Sequence, residues 1–194
     1  MAIDSTEMQL IKKARSGDDA SFELLIQNCK TKAYNTALRF LRNEEDAMDA
    51  LQESFIKIFR HLDQFKGDCK FDTWVYRIVV NTCHDILRKK QIHKTECISK
   101  FYEEGGRMPD IIDPAPSPAT VLDTKETVGY VLDCLNKMNI DHREVIILRD
   151  IQGFSYGEIS EILNCTLGTV KSRINRARVL LREMMMEHKE NECV

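Results

Sequence analysis

The sequence predicts an all-α chain: two small helical domains joined by a flexible linker, the C-terminal one containing a helix-turn-helix. Three observations predict it. Apolar residues recur at helical spacing in both halves of the chain. Ala, Leu, Ile, Glu, Lys and Arg dominate, and only 8 of 194 residues are Gly, a composition that favours helices. The four prolines, Pro109, Pro114, Pro116 and Pro118, all fall in one stretch. That stretch divides the chain into domains at 1–92 and 120–194, with 93–119 as the linker.

Residues 5–15 form a short amphipathic helix with Met8, Leu10, Ile11 and Ala14 apolar. Ser16-Gly17-Asp18 stops it, and Asp18 is placed to cap the next helix. That helix runs to about Cys29, with Phe22, Leu25 and Ile26 on one face. Another spans about Lys32 to Leu41, with Ala33, Ala37 and Phe40 inside.

Residues 43–46 (NEED) open a helix with a capping-box-like start and acids in its first turn. Leu51, Phe55, Ile58, Phe59 and Leu62 form its apolar face. Asp46, Asp49, Glu53 and Lys57 lie off that face, with Gln52 at its edge. They read either as a solvated surface or as a polar docking face for a partner.

Residues 64–70 (QFKGDCK) form a loop broken at Gly67. A long helix follows over 71–90, with Phe71, Trp74, Val75, Ile78, Val79, Thr82 and Ile86 inward. Arg77, Asn81, His84 and Arg88 fall at spacings of four, three and four, so they share another face. An Arg, Asn, His and Arg stripe suits contact with phosphates and bases; a solvated helix face has a similar composition.

Beyond the linker, Ser117-Pro118 is a cap and first-turn pair for a helix to about Met138, with Val121, Val128, Val131, Leu132 and Leu135 apolar. Residues 141–144 (DHRE) form a second capping box. It opens a short helix with Val145, Ile146, Leu148 and Ile151 inside, ended by Gly153. Ser155 and Glu158 form a third box and start the helix-turn-helix. Ile159, Ile162 and Leu163 pack its first helix, and Asn164 suits the left-handed position of the turn. Thr166 caps the second helix, where Val170, Ile174, Ala177 and Leu181 face inward. Gly168, Thr169, Lys171, Ser172, Arg173 and Arg176 are left for DNA, with Gly168 letting the helix N-terminus approach a phosphate.

The charge pattern agrees. Formal net charge is -3, so a nucleic-acid reading needs a local excess of cations. Residues 167–189 hold six basic side chains against two acids, an excess of four. An ordinary helical hairpin with a basic face is the competing reading. The seven cysteines form no C-x-x-C pair, which suits a reduced cytosolic thiol set. His93 and Cys97 are spaced like one arm of a zinc site, but no second arm exists, so no metal is expected. The N-terminus is not a signal peptide, and no apolar run approaches a membrane span. The expectation is a soluble, cytoplasmic protein.

Three blocks now resemble the extracytoplasmic-function (ECF) group of bacterial sigma factors, the two-domain minimal members of the sigma-70 family. DAMDALQESF (46–55) resembles the family's core-polymerase-binding helix. FKGDCKFDTWVYRIVVNTCHDILRKK (65–90) resembles the loop and helix that recognise and open the -10 element. GFSYGEISEILNCTLGTVKSRINRARVLLR (153–182) resembles the helix-turn-helix that reads the -35 element. The resemblance implies that Asp46, Asp49, Gln52, Glu53 and Phe55 lie on or support the face docking the clamp helices of the largest polymerase subunit. It implies that the loop 63–70, including Lys66, holds a flipped-out base, with Arg77, Asn81, His84 and Arg88 at the -10 DNA. Gly168, Thr169, Lys171, Ser172, Arg173 and Arg176 would contact the -35 element. The linker resembles the segment that threads toward the polymerase active site and RNA exit path.

Implied partners are core RNA polymerase (clamp helices and flap), promoter DNA and an anti-sigma factor. No cofactor and no catalytic residue are implied. The sequence departs from the family pattern at Ala50, Ser160 and Asn164-Cys165. A stand-alone regulator with a LuxR-type helix-turn-helix is the alternative, opposed by residues 46–90, which resemble no ligand or phosphoacceptor domain. An enzyme lacks support: no nucleophile–base pair, P-loop or paired-His motif occurs.

Overall fold

The computed structural model describes residues 5–103 and 124–192, and its account of side chains covers 6–92 and 129–186. No strand occurs among the described residues. The N-terminal half contains α1 (Ser5–Arg15), α2 (Asp19–Leu41), α3 (Glu44–His61) and α4 (Phe71–Glu103). A short 3-10 turn, Leu62–Gln64, extends α3.

Two helices are longer than the pattern predicts. α2 is continuous through residues 30–32, where the sequence pattern places a break. Those residues are Lys-Thr-Lys, with no Gly or Pro to stop a helix, and Cys29, Ala33, Thr36 and Ala37 keep one buried face across the site. α4 runs to Glu103, into the predicted linker, because 91–103 also lacks Gly and Pro. The predicted cap at Ser117-Pro118 lies outside the described residues.

Arg42 ends α2 in the left-handed region (φ 58), and its N–H donates to the Leu38 carbonyl at 2.8 Å. Asn43 then caps α3, accepting from the Asp46 N–H at 2.9 Å. This two-residue connection folds α3 back on α2. Ala33, Ala37, Ala47 and Ala50 are fully buried and bring the backbones of the helices close. Phe40, Ile58, Phe71, Val75 and Val79 fill the remaining space. Phe59 corrects the expected face of α3: it is half exposed, its ring edge-on to Phe22 at 5.0 Å.

The C-terminal half contains α5 (Thr124–Lys137), α6 (Ile140–Ile146), α7 (Tyr156–Ile162) and α8 (Leu167–Glu192). Asn139, not Asp141, caps α6, accepting from the His142 N–H at 3.0 Å. Arg143 and Glu144 of the expected box are buried instead. A π-turn, Ile147–Ile151, continues α6. The wider turn rotates Ile151 out of the buried face, so this expected core residue is exposed.

The two halves pack against each other, α7 on α4 and α6 on α2. Tyr76 of α4 is buried with its ring 4.8 Å from Phe154, and its hydroxyl donates to Gln152 at 3.3 Å. Gln152 in turn donates to Thr36 at 3.0 Å. Arg143 Nη2 donates to the Phe40 carbonyl at 2.9 Å, while its Nε and Nη1 have no partner. Burial, with Arg42 nearby, lowers the Arg143 pKa to about 10.

Candidate functional site

The helix-turn-helix is built as its sequence dictates. Ser155 and Glu158 form a reciprocal capping box at the start of α7, with bonds of 3.3 and 2.8 Å. Ile159 and Ile162 are buried, and Asn164 takes φ 48 in the turn. Two of the three departures from the family pattern, Ser160 and Asn164-Cys165, meet here. Ser160 Oγ donates to the Cys165 carbonyl at 2.8 Å, pinning the turn whose left-handed residue is Asn rather than Gly. Thr166 caps α8, accepting from the Thr169 N–H at 3.2 Å. Val170, Ile174 and Ala177 are buried, which fixes the outward face of α8.

On that face Gly168, Lys171, Ser172 and Arg176 are exposed. A Cβ at Gly168 would meet only Thr166 Oγ1 at 3.8 Å, so the helix start is open to a phosphate-sized anion. Thr169 is half-buried, its hydroxyl 2.9 Å from Thr166 Oγ1. Arg173 points elsewhere: Nη1 lies 3.2 Å from buried Glu144 and 3.4 Å from Asp141, both in α6. Asn175 is exposed between Ser172 and Arg176, and the sequence reading misses it. Its spacing of four from Lys171 and three from Ser172 is the available signal.

The second predicted cluster lies on α4 and the loop before it. Lys66, Arg77, Asn81 and Arg88 are exposed. His84 is half-buried, with Nε2 2.8 Å from Glu144 Oε2. The hydrogen bond to Glu144 raises the His84 pKa above 6.5 against its burial. The loop is closed at its base by aromatic contacts: Phe65 lies 5.5 Å from Phe71 and 5.4 Å from Trp74. Gly67 has φ +82, which lets the loop reverse between those feet. Lys70 pairs with Glu158 of α7 at 2.8 Å.

The third cluster lies on α3. Asp49, Gln52 and Glu53 are exposed, and Phe55 is half-buried. Glu53 is paired with Lys57 at 2.8 Å, which holds its carboxyl below the ordinary value. Asp46 is paired with Lys90 of α4 and is largely covered. No cluster of side chains able to hold a metal occurs among the described residues. No helix among them is long and apolar enough to cross a membrane. Cys29, Cys83 and Cys134 are buried, and burial pushes the Cys29 and Cys83 thiols up to about 12. Cys97 and Cys193 lie outside the described side chains.

A helical module bearing a loop-and-helix cationic face is followed by a capped helix-turn-helix module. Two family models match these modules: "Sigma-70 region 2" matches residues 25–92 and "Sigma-70, region 4" matches 129–181. The chain is 35% identical over 183 residues to the ECF RNA polymerase sigma-E factor of Salmonella typhimurium, covering 92% of this chain and 93% of that one. It is 32% identical, with the same coverage, to the RNA polymerase sigma-H factor of Pseudomonas aeruginosa. The chain therefore belongs to the ECF sigma factors. Among solved structures, the sigma factor RpoE of Bartonella quintana, in complex with the anti-sigma factor NepR, matches with a TM-score of 0.65 and 25% identity. That match covers 85% of this chain and 96% of the other. CnrH, in complex with the cytosolic domain of CnrY, has the same fold, with a TM-score of 0.68 at 24% identity over 94% and 99% of the two chains.

Proposed function

We propose that this chain is a promoter-specificity subunit and not an enzyme: it binds core RNA polymerase in the cytoplasm and directs initiation at promoters with -10 and -35 elements. The observation that carries the reading is the order of three surfaces on one chain. An exposed Asp49, Gln52 and Glu53 face precedes a loop-and-helix face with Lys66, Arg77, Asn81 and Arg88. A recognition helix presenting Lys171, Ser172 and Arg176 then follows.

The first face would dock the clamp helices of the largest subunit, supported by Asp46 and Phe55. The loop and α4 would hold an unstacked base and the -10 DNA, and α8 would read the -35 duplex. The domain roles follow: 1–92 for polymerase and -10, 120–194 for -35 and the polymerase flap, with 93–119 joining them. The two modules pack together through Tyr76, Phe154, His84 and Glu144. Docking on polymerase would separate them and fix their spacing on the two promoter elements, lowering the entropy cost of engaging both.

Control by an anti-sigma factor is supported by the Bartonella quintana relative, which was solved in complex with one. Run-off transcription with core polymerase on a promoter library tests the reading. Promoter-selective transcripts are expected. Failure to bind core enzyme would sink it in favour of a stand-alone regulator.

A further inference from the structure

We infer that Arg15 is a positioning residue for base capture: its guanidinium, reaching from the end of α1, clamps the foot of the loop that precedes α4. Arg15 Nε donates to the Leu62 carbonyl at 3.1 Å, and Nη2 donates to the Phe65 carbonyl. Leu62 is the C-cap of α3, and Phe65 is the C-cap of the 3-10 turn. Both carbonyls lie at helix C-terminal ends, where a cation is favoured; that of Leu62 also accepts the Phe65 N–H at 3.2 Å, so Arg15 takes its second acceptor site. One planar fork serves both acceptors, which a lysine ammonium on a flexible stem does less well.

The clamp matters because of what lies next. Phe65 is buried against Phe71 and Trp74, so its position fixes the distance between the loop's two feet. Residues 66–70 project from those feet, with Lys66 exposed and Gly67 at φ +82. The other foot, Lys70, is held by Glu158 of α7 only while the two halves are packed together. Once they separate, Arg15 and the aromatic base still hold the first foot of the loop. The hydrogen bonds of Arg15 go to the backbone of Leu62 and Phe65 at the foot of the loop and not to Lys66, Arg77, Asn81 or Arg88, so it acts by holding that foot.

The inference rests on the proposed role of the loop in holding an unstacked base. The test uses holoenzyme assembled with full-length Arg15→Ala, Arg15→Lys and, as a loop control, Lys66→Ala. Capture is read by 2-aminopurine fluorescence at the -10 element, alongside core affinity and thermal midpoint. Arg15→Ala should lower capture about tenfold, as small misplacements of binding groups do, with core affinity unchanged within about twofold. Arg15→Lys should recover part of the signal. Normal capture by Arg15→Ala beside a defective Lys66→Ala would overturn the clamp and leave the loop's role standing. A parallel loss of core affinity would reduce Arg15 to a folding residue. Silence of all three variants would remove the loop's role and the inference together.

Discussion

His84 Nε2 lies 2.8 Å from Glu144 Oε2, and the other oxygen of the same carboxylate accepts Arg173 Nη1 at 3.2 Å. One buried acid thus links α4 of the first module to the recognition helix of the second. Asp141 and Asp85 also favour the protonated ring. Because Glu144 raises the His84 pKa, the contribution of this contact is fully present below the ordinary value of 6.5. It is lost as pH rises through the raised folded value. Fluorescence energy transfer between the modules of the free chain should therefore fall through that window. Glu144→Gln should abolish the dependence; an unchanged pH response in that variant would show that another group controls packing.

The start of α7 should respond to pH in the opposite sense. Burial pushes the Glu158 carboxyl up, but Lys70 and the Ser155 N–H and hydroxyl together hold it below 4.5. Its contribution is present above the unfolded value and is lost as pH falls through the lower folded one. Ser155→Ala should cost about 1 kcal/mol in denaturant unfolding. A cost near zero would mean that the box contributes nothing beyond solvated ends.

Ser160 and Asn164 should prove coupled. Ser160→Ala removes the hydroxyl bond to the Cys165 carbonyl, worth roughly 1 kcal/mol. Asn164→Gly relieves a left-handed position at φ 48. In the double variant, part of the Ser160→Ala cost should disappear, which a double-mutant cycle in urea measures. Strict additivity would mean that the hydroxyl does not hold the turn.

The fold class was legible because helical periodicity and punctuation agree along most of the chain. Ser155, Glu158, Asn164 and Thr166 sit where local chemistry places them. Other residues were not readable because their surroundings are set by distant elements. Phe59 fits the apolar pattern of α3 yet remains half exposed, edge-on to Phe22. Arg143 reads as a surface residue of a capping box, but α2 supplies its acceptor, Phe40, from the other module. Ile151 is displaced by a π-turn that no residue type announces. Arg173 looks equivalent to Arg176 in sequence; only the approach of α6 separates them.

The α3 face gives a prediction independent of DNA. Asp49 and Gln52 are exposed beside Glu53, without the cover that Lys90 gives Asp46. Replacing both with Ala should weaken core polymerase binding by about tenfold or more, on the scale of interface hot spots. The thermal midpoint and the DNA affinity of the C-terminal module should not change. Unaltered core affinity would move the docking face elsewhere on the module.

Along α8, three substitutions should separate reading from support. Arg176 is exposed, and Arg176→Ala should reduce -35-dependent transcription by about tenfold or more, given roughly 1–3 kcal/mol for a bidentate base contact. Its core affinity should stay intact. Asn175 shares the exposed face, so Asn175→Ala should change the preferred -35 sequence more than the overall stability. Arg173→Ala differs in kind, because it strips Glu144 of a cation and leaves a buried carboxylate with His84 as its remaining partner. It should lower the unfolding free energy by roughly 1–3 kcal/mol as well as transcription. Selection from a randomised -35 library, run beside urea denaturation, distinguishes these outcomes. Loss of promoter preference in Arg173→Ala without loss of stability would make Arg173 a base reader.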